Sequence, residues 1–150
     1  MGLIPDLKGT TSNFSVGGKL STTGGIKSRV VTLTDAATVT PNADTTDLGV
    51  LTSLSQTTTF ANPTGTPTNG QLLQIRITSS TSRAIAFGSA YQTAGNLALP
   101  TVTTGGGVED YLTFSYNSVD SEWDLTDTTT AASGSSGISE ELAIAYAVVL

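Results

Sequence analysis

The densest group of reactive side chains is "DSEWD", where Asp120, Glu122 and Asp124 alternate with Ser121 and Trp123. On a strand Glu122 and Asp124 share a face, and clustered carboxylates are the donors for Ca²⁺ or for paired acid–base work. The spacing is not that of an EF-hand loop. The expected role is a solvated hairpin turn whose acids point away from Trp123. "PNADTTD", with Asp44 and Asp47, raises the same calcium question and is better read as an Asx-type turn between strands. "TTGGGVED" (Thr103 to Asp110) has the glycines of a phosphate loop but no following Gly-Lys-Ser/Thr. It also leads into a strand, not a helix, so a flexible connection is expected. Trp123, Tyr91, Tyr111 and Tyr116 form either a sugar-stacking platform or core; with aromatics at 6% of the chain, most are expected in the core. There is no His and no Cys, so the usual base–nucleophile pairs are missing. No catalytic residue, metal ligand or cofactor site is assigned, and no enzyme activity is expected.

These residues sit in a chain of 150 residues, the size of one ordinary domain. Charged residues make up 12%, half the usual share of about 25%. The difference is filled by 28 Thr and 17 Ser. Thr is β-branched and fits a half-buried pleated surface, while Ser serves turns, so the composition reads as all-β with a neutral, hydroxyl-rich exterior. Net charge is −6, and Lys8, Lys19 and Lys27 with Arg29 leave only Arg76 and Arg83 for the rest of the chain. Two cations cannot neutralise a phosphate track, so nucleic acid is not an expected partner. Absent Cys rules out disulfides and zinc–sulfur sites and leaves the redox compartment open. No secretory signal pattern opens the chain. The longest apolar run, Leu142 to Leu150, has nine residues, against about 20 for a spanning helix; a soluble protein with no membrane partner is expected.

Four zones differ in texture. Residues 1–29 mix glycines with isolated apolar residues and sustain no period, which suits an extended arm. Residues 30–127 hold eight short β-rich runs: "VVTLT", "ATVTP", "LGVLTSL", "TTTFA", "QLLQIRITS", "RAIAFG", "VEDYLTFSY" and "EWDLTD". Short strands at near-even spacing point to a sandwich or small barrel. In "QLLQIRIT", Leu73, Ile75 and Ile77 share a face, and in "DYLTFSY" Leu112, Phe114 and Tyr116 do. This period predicts antiparallel strands over one core, with a hairpin turning at Asn117 to Ser121 and returning Trp123 and Leu125 to the core side. Residues 128–137 read as a flexible Thr/Ser/Gly linker. Residues 138–150 form a short apolar segment that fits a helix capped by Ser139 or a strand equally well.

"ANPTGTPTNGQLLQIRI", then "RAIAFGSAYQ", then "VEDYLTFSYNSVDSEWDL" together resemble a module of tailed-bacteriophage virion proteins. In that module a loop N-P-x-G-x-P-x-x-G-Q precedes a strand, an aromatic–glycine strand end follows, and the last hairpin runs Y-x-x-F-x-Y-N…W-x-L. The match is carried by Asn62, Pro63, Gly65, Pro67, Gly70, Gln71, Phe87, Gly88, Tyr91, Tyr111, Phe114, Tyr116, Asn117, Trp123 and Leu125. It covers about residues 30–127. "GGKLSTTGGIK" is similar to the Gly-Gly-Ile-Lys segments of phage fibre proteins. The resemblance implies an antiparallel β-sandwich of jelly-roll type that assembles as a trimer on a virus particle, as a capsid decoration (cement) protein, head fibre or tail-fibre module, without catalytic residues. The apolar C-terminal segment departs from the module.

The expected function is therefore a trimeric decoration protein on the outside of the head, made in the host cytoplasm and bound to the major capsid protein. A receptor- or glycan-binding fibre module, with a host surface glycan as partner, is the alternative. Leu3, Ile4, Leu7 and Phe14 at one end, and Ile144, Tyr146, Val148 and Leu150 at the other, are the expected subunit or capsid contacts.

Overall fold

A computed structural model describes residues 27–130. Nine strands occupy them: β1 (Val30–Thr32), β2 (Thr38–Val39), β3 (Leu48–Leu51), β4 (Thr58–Phe60), β5 (Leu72–Thr78), β6 (Ile85–Phe87), β7 (Tyr91–Thr93), β8 (Glu109–Asn117) and β9 (Glu122–Thr128). The described residues are all-β, as the composition predicts. All eight expected runs contain a strand. Only β7 is new: "YQT" follows Gly88, Ser89 and Ala90 and is too short to show a period.

The strands form a six-stranded sheet ordered β1-β3-β5-β8-β9-β7 and a three-stranded sheet ordered β2-β4-β6. From β1 to β6 the chain alternates between the sheets, placing each new strand parallel to the one laid down a coil earlier. It winds rather than folds back. The expectation of antiparallel strands is thus corrected: β5–β8 and β8–β9 are antiparallel, but β1–β3, β3–β5, β2–β4, β4–β6 and β7–β9 are parallel. A jelly roll is made of antiparallel Greek keys, and this topology differs from it. Period 2 reveals which face of a strand is buried; it carries no information on the direction of the neighbour.

Winding in register stacks side chains into columns. Val39, Phe60 and Phe87 lie side by side across the small sheet, and the rings of Phe60 and Phe87 stack at 5.5 Å. In the large sheet Val31, Gly49 and Ile75 are neighbours. Gly49 leaves a gap in that column which Leu33 fills: a Cβ on Gly49 would stand 2.8 Å from the Leu33 Cδ1. Both sheets empty into one core holding Val39, Leu51, Leu54, Phe60, Leu73, Ile75, Ile77, Ile85, Tyr91, Leu112, Phe114, Trp123 and Leu125. Phe87 of the small sheet meets Phe114 of the large one at 6.0 Å, and Tyr91 meets Phe114 edge-on at 4.9 Å. These rings tie the wound strands to the terminal hairpin.

The hairpin follows the sequence reading closely. Leu112, Phe114, Trp123 and Leu125 are buried, and β8 hands over to β9 across Asn117 to Glu122. A register shift between Thr113 and Phe114 marks a bulge. β9 runs to Thr128 and Thr129 donates its N–H to Tyr111 O at 3.0 Å, so the sheet extends past residue 127. The remainder of the expected linker, the arm up to residue 26 and the apolar segment lie outside the described residues.

Candidate functional site

The Ala61–Gln71 loop, with most of the motif residues, joins β4 to β5, and its side chains reach in three directions. Asn62 Oδ1 accepts the Ala90 N–H at 2.9 Å and Asn62 Nδ2 donates to Ser89 Oγ at 3.3 Å, gripping the turn after β6. The Gln71 Nε2 donates to Ala43 O at 2.7 Å while its Oε1 accepts from Thr68 N, holding the previous coil. Gly70 N donates to Tyr116 O, and Tyr116 N donates to Gln71 O, both at 2.8 Å, locking the loop to the end of β8. Asn69 Oδ1 accepts from Ser118 N in the hairpin turn.

Two glycines let these approaches happen. Gly65 has φ +99°, and a Cβ there would meet the Asp44 carboxylate at 2.8 Å. That carboxylate accepts from Thr66 N at 2.8 Å and from Thr66 Oγ1. A Cβ on Gly88 would lie 2.2 Å from Asn62 Oδ1 and 2.8 Å from Asn62 N. Pro63 and Pro67 fix φ between these anchor points. The structure therefore brings Asn62, Gly65, Gly70, Gln71 and Tyr116 together, but as a fastener between coils.

The carboxylates separate. Asp120 Oδ2 accepts from Asn117 Nδ2 inside the hairpin turn at 3.1 Å. Glu122 and Asp124 sit on the face of β9 opposite Trp123, with Glu122 Oε2 buried and without a hydrogen-bond partner. Among the described residues no three acidic side chains are close enough to hold a metal ion. In "PNADTTD" the Asx turn belongs to Asn42, whose Oδ1 accepts from Asp44 N at 2.9 Å and whose carbonyl accepts from Thr45 N and Thr46 N. Asp47 pairs with Arg29 at 2.5 Å. The Arg29 hydrogen bond, followed by its backbone N–H and charge, holds the Asp47 carboxyl below the usual carboxylate range. Asp35 is lowered too, chiefly by the Ser55 hydroxyl at 2.5 Å and by Gln56.

Gly105, Gly106 and Gly107 all have positive φ. Gly106 N and Gly107 N donate to Ser80 O and Ser79 O, so the glycine run is a tied connection into β8. The four aromatic candidates share no exposed platform. Trp123 and Tyr91 are buried, Tyr116 packs on Trp123 at 5.2 Å, and Tyr111 lies on the other face of β8, its OH donating to Glu109. Burial pushes the Tyr91 phenol well above its ordinary range, and its OH has no partner.

One concavity was not foreseen. Thr52, Ser53, Ser55, Thr78, Ser79 and Ser80, with Leu54 as floor, line an open cleft of about 310 Å³ beside Gly107. It forms where β3 and β5 end side by side. "LTSLS" and "ITSSTS" are its only sequence signal, and each read alone is a turn. The expected contact residues Leu3, Ile4, Leu7, Phe14, Ile144, Tyr146, Val148 and Leu150 lie outside the described residues. No protein-family model matches the chain, and no curated protein does.

Proposed function

We propose that the protein is a structural component of a tailed-bacteriophage virion, a trimeric capsid decoration protein that binds the major capsid protein and stabilises the outer surface of the head. The observation that carries this reading is the use made of the motif loop. Asn62, Gln71 and Asn69 all bond to backbone or side chains of other coils and of the hairpin. Residues conserving such bonds build a shape, and a shape is what a shell-bound protein offers. In this reading no residue is catalytic and no cofactor is required. The jelly-roll sandwich is not carried over from the resemblance, since parallel winding replaces it; the motif and its order are. Imaging and mass spectrometry of purified particles test the proposal. Many copies on the head, released as trimers, are expected; copies confined to the tail would overturn it.

A second reading, a glycan-binding fibre module, is favoured by the hydroxyl-lined cleft at Thr52, Ser53, Ser55 and Thr78 to Ser80. Neutral hydroxyls match a polyhydroxylated ligand. A glycan array probed with the full chain distinguishes the two: binding lost in Ser53→Trp, with the fold retained, would support the fibre module.

A further inference from the structure

The first coil is left open on its outer side among the described residues. β1 is the edge of the large sheet and β2 the edge of the small one, on the same side of the winding. In β1, Leu33 N donates to Val50 O and Arg29 O accepts from Leu48 N. Polar backbone groups alternate sides along a strand, so the N–H and C=O of Val30 and Thr32 face away from β3. In β2, Ala37 O and Val39 O accept from Thr59 N and Ala61 N, so the backbone of Thr38 faces outward likewise. The opposite edge of the small sheet is treated differently. There Ile85 N donates to Thr101 O and Thr103 N to Arg83 O, covering β6 with an antiparallel segment. The open side also leaves apolar surface incompletely covered: Val30 is 61% exposed, and Val31 and Leu33 are only half-buried.

We infer that residues 13–20 of the same chain dock on this side as one further coil, adding a parallel strand to each open edge. The segment lies immediately upstream of β1, where the alternation between sheets would place a preceding coil. Its pattern fits the register. "NFSV" set beside "VVTL" puts Phe14 against Val31 and Val16 against Leu33, the two β1-side residues that point to the core. Gly17 and Gly18 then supply a turn, and "KLS" puts Leu20 against Val39 and Ser21 against Thr40. The apolar residues fall at inward positions and the Asn, Ser and Lys at outward ones. The offsets are slightly shorter than those from Val30 to Leu48 and from Thr38 to Thr59, continuing a series in which the coils lengthen along the chain. Backbone pairing would satisfy Val30, Thr32 and Thr38, as strand addition does at other open edges. This inference stands apart from the virion reading and holds whatever surface the protein occupies.

Amide hydrogen exchange on the full chain tests it, comparing the parent with the Phe14→Asp, Leu20→Asp double variant. The outward amides of Val30, Thr32 and Thr38 are expected to exchange at least about 100-fold faster in the variant, with Ile75 and Phe114 unchanged. If the variant unfolds, Ile75 and Phe114 will report it, and the parent decides alone: slow exchange at the three outward amides supports the added coil. Exchange at free-peptide rates in the parent overturns it. So does protection that grows with protein concentration, since the occupant would then be a second copy.

Discussion

Between Val30 and Phe87 no strand is paired with the one that precedes it in sequence, whereas β8 and β9 are bonded neighbours joined by a tight turn. The wound region closes through distant partners, and its strands are two to seven residues long. Too short to hold themselves, they depend on cross-coil side-chain bonds such as Asn62 to Ala90 and Gln71 to Ala43. The hairpin region instead uses long strands with strict alternation and large buried side chains. The same core is reached by fastening in one region and by face-to-face burial in the other.

The largest effect should come from the hairpin. Trp123 is 2% exposed, and Trp123→Ala is expected to cost about 3–5 kcal/mol in urea denaturation. A variant that melts like the parent would mean that the hairpin does not anchor the core. Next is the fastener. Gly88→Ala forces a Cβ against Asn62 and should cost about 1–3 kcal/mol, and Asn62→Ala about 1–2 kcal/mol through the bond lost at Ala90. Because the two act on one contact, the double variant should cost less than the separate costs added together. Additive costs would dissolve the idea of a clamp between coils.

A smaller effect is expected at the entrance to the first coil. The folded-state pKa of Asp47 lies below its unfolded value, so its contribution is present above about pH 4 and lost as pH falls through the folded pKa. Both partners are partly exposed, which limits the Asp47→Asn cost to about 1 kcal/mol. Melting curves from pH 7 to pH 2 should show the parent losing its advantage over Asp47→Asn on the acid side. An advantage that persists at pH 2 would remove the ion pair as its cause. The smallest effect is none: a chelator should leave the Tm of the full chain unchanged, and a fall of several degrees would reinstate the Asp120, Glu122 and Asp124 turn as a metal site.

The two regions also differ in how far they can be read from sequence. "QLLQIRIT" and "DYLTFSY" are long enough to show a period, so their buried faces, the hairpin at Asn117 to Ser121 and the inward Trp123 follow from the residues. "TTF", "IAF" and "YQT" show strand propensity only. Nothing in three residues tells whether a neighbour runs alongside or against, and the default of antiparallel pairing fails there. The motif loop was legible as stiff and turned, from Pro63, Pro67, Gly65 and Gly70. Its purpose was not, because the atoms it grips, Ala43 O and Ala90 N, belong to backbone that any sequence supplies. The cleft was invisible for a related reason: its two Ser/Thr runs meet only because β3 and β5 stop together.

Parallel winding also sets the order in which the molecule can assemble. Each wound strand must wait for a partner a whole coil away, and closing such loops costs entropy before any contact returns it. The β8–β9 turn closes locally and β5 joins it in one step, so the terminal hairpin is the natural nucleus, with the coils laid against it backwards. On the ribosome the chain emerges in the opposite sense, coils first and hairpin last. The early coils would leave the exit tunnel as sticky, unpaired edges, with no template until Trp123 arrives. Synthesis and folding thus run in opposing directions, and the Thr- and Ser-rich, sparsely apolar coils suit a segment that must remain in water while it waits.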